Sequence, residues 1–136
     1  MPWFGFIHPL LAIFTFIYGL TIGQVSLSRL DDWDFPLRRV RKRTLIFFLL
    51  VVANFLLGLV VNIILGARGE RVVLFAHLPI AIAITVFTLL ATLITFSKGR
   101  LGELPEKMRW HPILVVISLA LIMTIAFTAL LKVLRI

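Results

Sequence analysis

The sequence predicts an all-α integral membrane protein, built as a bundle of four transmembrane helices. Three observations predict this fold. The chain of 136 residues is 61% hydrophobic with a mean hydropathy of +1.11, far above the apolar share of an ordinary soluble domain. Charged residues make up only 15% of it and fall in short clusters. Between these clusters lie four apolar runs of about 20 residues or more, each long enough to span a bilayer.

The four predicted spans cover residues 3–22, 44–65, 72–96 and 112–131, and only short connections separate them. No length remains for a soluble domain, so we expect a single membrane domain. The first span has no basic lead-in, and no small-residue cleavage site follows it. We therefore interpret it as a retained helix and not as a signal peptide.

The distribution of cations predicts the orientation of the bundle. Of the 14 Lys and Arg residues, 10 lie in the first and third connections, and six consecutive positions there read Arg38-Arg39-Val40-Arg41-Lys42-Arg43. Because positive charge collects on the cytoplasmic side, we expect both termini on the outer, periplasmic or lumenal, side. Membrane orientation also accounts for the net charge of +8, so we expect membrane lipid and no nucleic acid as a partner.

Several chemistries are excluded by residue type and position. The chain has no cysteine, which excludes disulfides, thiolate metal sites and iron–sulfur clusters. All six Asp and Glu residues lie in connections. No Ser/His/Asp set, HExxH motif or intramembrane carboxylate pair can therefore be assembled. The sequence predicts neither a catalytic centre of its own nor a proton-coupled transporter.

Two of the three histidines lie at the same predicted depth. An ionisable side chain inside a membrane is costly and by default marks a functional site. His8 and His77 both lie about 7–9 Å inside the outer ends of their spans, at 1.5 Å rise per residue. Haem iron takes axial nitrogen ligands, and helix bundles hold such groups between facing helices. We therefore predict one haem b with His8 and His77 as its axial ligands.

Small side chains near these histidines would leave room for the haem ring; they are Gly5, Ala12, Ala81 and Thr85. Span two adds an amide and glycine series at steps of four, Asn54, Gly58 and Asn62. Helix packing alone is the alternative explanation, since small residues and hydroxyls also let helices approach closely.

Each histidine also has a simpler interpretation, a side chain at the headgroup level that bonds to water. That interpretation is favoured for His111, which follows Trp110 and Arg109 at the inner end of span four. His111 is thus a weaker candidate ligand than the other two.

Several short motifs are similar to those of a known family. They are His8-Pro9 at the start of span one, the Arg-rich connection, Leu74-Phe75-Ala76-His77-Leu78, Lys98-Gly99-Arg100, and Arg109-Trp110-His111. On these residues the chain resembles the small four-helix membrane b-type cytochromes related to cytochrome b-561. It is most similar to an uncharacterised branch frequent in cyanobacteria and plastids.

The resemblance implies four histidines and two haems, one between spans one and three and one between spans two and four. His8 and His77 match the first pair, and His111 matches the ligand of span four. Arg43-Thr44-Leu45 stands where span two should supply the remaining histidine. The inner haem thus lacks a ligand, and we expect one haem near the outer side.

The resemblance further implies electron transfer with a quinol or an outer-side redox protein as partner. We expect the chain to work with other membrane subunits in a respiratory or photosynthetic complex of a bacterial inner or photosynthetic membrane. The alternative is a structural accessory subunit, without a redox cofactor or with a pigment such as chlorophyll held by His111.

Overall fold

A computed structural model describes residues 6–28, 36–69, 77–96 and 106–133 of the protein. These residues form four long helices: α1 (Ile7–Ser28), α2 (Leu37–Ala67), α3 (His77–Phe96) and α4 (Trp110–Val133), the last preceded by a short 3₁₀ turn, Glu106–Arg109. All four are long and apolar enough to cross a membrane. The predicted all-helical bundle of four spans is therefore confirmed. The direction in which it crosses the membrane stays a prediction.

Two helices extend well beyond the predicted spans. α1 continues to Ser28 and α2 begins at Leu37, so the basic run is helical and does not belong to the connection as we expected. Arg, Lys and Leu are good helix formers, and a helix can therefore continue from the apolar region into the headgroups. With 31 residues, α2 is about 46 Å long, whereas the hydrocarbon core of a bilayer is about 30 Å thick.

The helices run alternately up and down around a four-sided bundle. α1 and α3 each pack against α2 and α4, so α1 faces α3 across one diagonal and α2 faces α4 across the other. The histidine end of the bundle contains the starts of α1 and α3 and the end of α2. The basic end contains the starts of α2 and α4 and the end of α3.

The interior of the bundle is apolar, and so is most of its outer surface. The core consists of Ile22, Phe47, Val51, Ile84, Ala91, Val115, Leu119 and Ile122. Outward-facing positions also carry large apolar side chains, among them Leu10, Ile63 and Phe127. Exposed apolar surface on this scale is foreign to soluble monomers and suits contact with lipid chains, which agrees with an integral membrane protein.

The buried threonines of α3 satisfy their hydroxyls within the helix itself. Thr88, Thr92 and Thr95 donate to carbonyls three or four residues earlier, at 2.9, 2.7 and 2.6 Å. Every buried side-chain nitrogen or oxygen in the described ranges has a hydrogen-bond partner. These hydroxyls need no external ligand. The three threonines therefore serve to pack the helices together, as small polar residues do in membranes.

At Gly19 of α1 the bundle leaves no room for a side chain. A Cβ atom at this position would lie 2.6 Å from Leu119 Cδ2 and 2.7 Å from Phe47 Cε2. Gly23, one turn further along the same helix, has open space where its Cβ would be. Glycine at position 19 thus lets α1 sit directly on side chains of α2 and α4.

We expect Gly19→Ala to be less stable than Gly23→Ala by about 1–3 kcal/mol, the usual cost of overpacking a core. Both substitutions gain the same helix propensity, so their difference isolates the steric effect at position 19. Thermal unfolding of the two variants in the same detergent measures it. Equal unfolding temperatures would contradict the close packing described here.

Candidate functional site

The structure brings together the two histidines predicted as a pair. His8, in the first turn of α1, and His77, the first residue of α3, meet across the diagonal of the bundle. Their ring centroids are 6.1 Å apart and their ring planes form an angle of 62°. Both side chains are half-buried at the histidine end.

Asn54 of α2 fixes the position of His8. In the amide orientation that satisfies all of its neighbours, Asn54 Nδ2 donates to His8 Nδ1 at 2.8 Å and to the His8 carbonyl at 3.2 Å. Its Oδ1 accepts from the Ala12 backbone N–H at 3.2 Å. The amide therefore spans the first turn of α1 and the imidazole together. Because His8 Nδ1 accepts a hydrogen bond, the ring proton lies on Nε2.

Gly58, one turn after Asn54, allows the His8 ring to lie against the backbone of α2. A Cβ atom at this position would be 2.9 Å from His8 Cε1 and 3.3 Å from His8 Nε2. Any other side chain would displace the imidazole. The spacing of four between Asn54, Gly58 and Asn62 showed that they share a helix face, but sequence reasoning treated them as interhelical packing and missed their contact with His8.

A cavity of about 120 Å³ lies beside His77, between α2 and α3. Its walls are mostly apolar, and its polar groups are the His77 imidazole and the Asn62 amide. The lining residues are Phe55, Gly58, Leu59, Asn62, His77, Leu78 and Ala81. The same glycine thus borders both the His8 ring and this space.

The other residues predicted to pack around the haem have different surroundings. Ala81 lines the cavity, and Ala12 contacts Asn54 through its backbone N–H. Thr85 lies one turn beyond the cavity and donates to the Ala81 carbonyl at 2.9 Å. Gly5 lies outside the described residues.

His111 is deeply buried, contrary to the expectation of a side chain that bonds to water. It is 0% exposed, and so is Thr44 of α2. His111 Nε2 lies 2.9 Å from Thr44 Oγ1. The Thr44 hydroxyl also lies 2.8 Å from the Val40 carbonyl, to which it can donate. The hydrogen bond between Thr44 and His111 crosses the second diagonal of the bundle, at the basic end.

The histidine pair provides two imidazole groups on opposite helices, with ring centroids 6.1 Å apart. Gly58 and the cavity offer space on the α2 side. A porphyrin is larger than this cavity, so binding one would move lining side chains such as Phe55, Leu59 and Leu78.

At the basic end, Thr44 and His111 contact each other directly and are fully buried. Elsewhere in the described ranges, no group of three or more His, Cys, Asp or Glu side chains could hold a metal ion. The chemistry available at the histidine end is therefore that of two imidazoles supported by amides.

Comparison with protein-family models, with characterised proteins and with solved structures finds no match to this chain. The resemblance to b-type cytochromes therefore rests on the short motifs quoted above, and any function has to be argued from the site.

We expect Thr44→Val to lower the free energy of unfolding by about 1 kcal/mol, as is typical of interhelical hydrogen bonds in membranes. The substitution keeps the shape of the side chain and removes the hydroxyl that bonds to His111 Nε2. Thr124→Val is the matched control, because the Thr124 hydroxyl bonds only to the Ala120 carbonyl on the exposed side of α4. Unfolding in detergent compares the two, and equal losses would argue against a buried Thr44–His111 bond.

Proposed function

We propose that this protein is a membrane b-type cytochrome subunit that binds one haem b between His8 and His77 and transfers electrons near one membrane surface. The observation that carries the proposal is the contact of the two imidazoles across the bundle diagonal, with centroids 6.1 Å apart. Two imidazoles that meet from opposite helices would hold a haem by supplying the two nitrogen donors that its iron can take.

The chain's own residues have separable roles in this proposal. His8 and His77 supply the two nitrogen donors, and the apolar side chains of the bundle keep water away. The bound haem would supply a one-electron carrier whose potential depends on its axial ligands and burial. Arg68 is exposed at the end of α2, which lies at the histidine end of the bundle. Its positive charge would attract the acidic groups of the haem ring.

Asn54 is the supporting residue for His8. To bind iron through Nε2, His8 must hold its proton on Nδ1, and Nδ1–H then needs an acceptor. Turning the Asn54 amide by half a rotation would place Oδ1 where Nδ2 now faces Nδ1, in exchange for its bonds to the His8 carbonyl and the Ala12 N–H. Metal-binding histidines usually donate their second nitrogen to such an oxygen, which fixes the tautomer and the ring orientation.

The proposal assigns electron exchange to one side of the membrane. The cation distribution predicts the histidine end on the outer side, where a quinol or a soluble redox protein would be the partner. Since Arg43-Thr44-Leu45 stands where span two would supply a histidine partner for His111, we propose a single haem and a chain that works beside other subunits of a respiratory or photosynthetic complex. A bacterial inner membrane or a photosynthetic membrane is the proposed location.

We expect the purified protein to show reduced-minus-oxidised Soret and α bands of b type, with about one haem iron per chain. His8→Ala and His77→Ala should each abolish these bands, because each removes one axial ligand. Thr124→Val, on the exposed side of α4, is the control and should retain them. Absorption spectra and iron analysis of the variants in detergent provide the measurement.

The same preparation distinguishes the alternative function. Native protein that contains no haem and takes up none on addition of haemin would overturn the proposal, as would unchanged bands in His77→Ala. Extraction with organic solvent would then reveal chlorophyll if the chain is a pigment-binding accessory subunit.

We expect Gly58→Ala to lower haem affinity by about tenfold or more, the effect of losing a supporting contact at a metal ligand. The added Cβ displaces the His8 ring. Gly66→Ala is the matched control on the same helix, because open space surrounds the position of its Cβ. Haemin titration of both variants gives the affinities, and their thermal unfolding verifies that each is folded. Equal affinities would show that Gly58 does not position His8.

A further inference from the structure

The first two turns of α2 display a basic arc made of Arg38, Arg39, Lys42 and Arg43. The first three side chains are exposed and Arg43 is half-buried, and the first turn contains no acidic residue. At 100° per residue the four positions span about 140° of the helix circumference. Val40 and Thr44, at most 1% exposed, occupy the opposite side.

The segment that holds the basic arc is fixed to the bundle. Arg41, which points away from the arc, donates its Nε to the Thr95 carbonyl at 2.8 Å. Its guanidinium carbon lies 4.8 Å from the centre of the Phe96 ring. These contacts join the start of α2 to the end of α3. The arc is therefore held at one height and in one direction.

That height is the level of lipid headgroups. The apolar part of α2 begins at Thr44, and the arc lies within about 9 Å before it along the helix axis. Arg109, exposed just before α4, adds a further cation at the same end. The length of α2 requires one of its ends to project from the hydrocarbon core, and the charged end is the one that can do so.

Exposed leucines continue the arc into the membrane. Leu45 and Leu49 are 38% and 55% exposed, and the helical repeat places them within about 60° of Arg38 and Lys42 on the circumference. A cationic group above exposed aliphatic side chains matches a phospholipid, with its phosphate above its acyl chains. A soluble polyanion would use the cations and leave the leucines uncovered.

We propose that the basic arc and the leucines below it bind an anionic phospholipid in the leaflet at the basic end. The planar guanidinium groups bind phosphate oxygens through paired hydrogen bonds, and Lys42 contributes a point charge. Clusters of Lys and Arg next to a transmembrane helix attract anionic headgroups. The inference is independent of the haem site and of the direction in which the bundle crosses the membrane.

Binding can be measured on the full-length, delipidated protein in mild detergent. The probes are phosphatidylglycerol and phosphatidylcholine with identical acyl chains, and bound lipid is counted by native mass spectrometry. We expect a preference for phosphatidylglycerol. Each cation near the surface contributes about a fivefold factor, so Arg38→Gln/Arg39→Gln/Lys42→Gln should reduce the preference by tenfold or more.

Two controls make the test decisive. Arg68→Gln removes an exposed cation from the histidine end and should retain the preference. Glycerol phosphate, the headgroup without acyl chains, should bind far more weakly than the lipid. The proposal fails if the triple variant keeps the native preference, if Arg68→Gln loses it equally, or if glycerol phosphate binds as tightly as phosphatidylglycerol.

Discussion

The structure depends on one constraint, that a polar group inside a membrane must find its partner within the protein. The bundle meets this requirement at two polar centres. In one, the amide of Asn54 bonds to His8, whose ring lies beside that of His77. In the other, Thr44 and His111 share a hydrogen bond. The buried threonines of α3 bond within their own helix, so they place no demand on the facing helices.

The two polar centres differ in how deeply their side chains are buried. Thr44 and His111 form a closed contact with no exposed surface, which suits a structural link between α2 and α4. His8 and His77 are only half-buried, and a cavity lies beside them. Between Thr44 and Gly58 the rise along α2 is about 21 Å, so the two polar centres lie in opposite halves of the bundle. The cavity of about 120 Å³ thus lies at the polar centre that is only half-buried.

Sequence patterns predicted the four helices and the meeting of His8 with His77, because hydropathy sets the spans and rise per residue sets the depth. They were wrong about the start of α2, since a basic run was interpreted as a connection although its residues are helix formers. They also predicted that His111 bonds to water, whereas it is buried against Thr44. Periodicity shows which residues share a helix face, but it does not show which neighbour that face meets. The contacts of Asn54 and Gly58 with His8 are therefore visible only in the folded structure.

α2 also sets the positions of the other three helices along the axis of the bundle. Asn54 and Gly58 fix the height of α1, Arg41 contacts the end of α3, and Thr44 fixes the start of α4. A shift of α2 by one residue along its axis, about 1.5 Å, would exceed the tolerance of hydrogen bonds near 2.8 Å at both ends simultaneously. α2 thus determines the axial register of the other three helices. A change in its length between Arg41 and Gly58 would disturb both polar centres together.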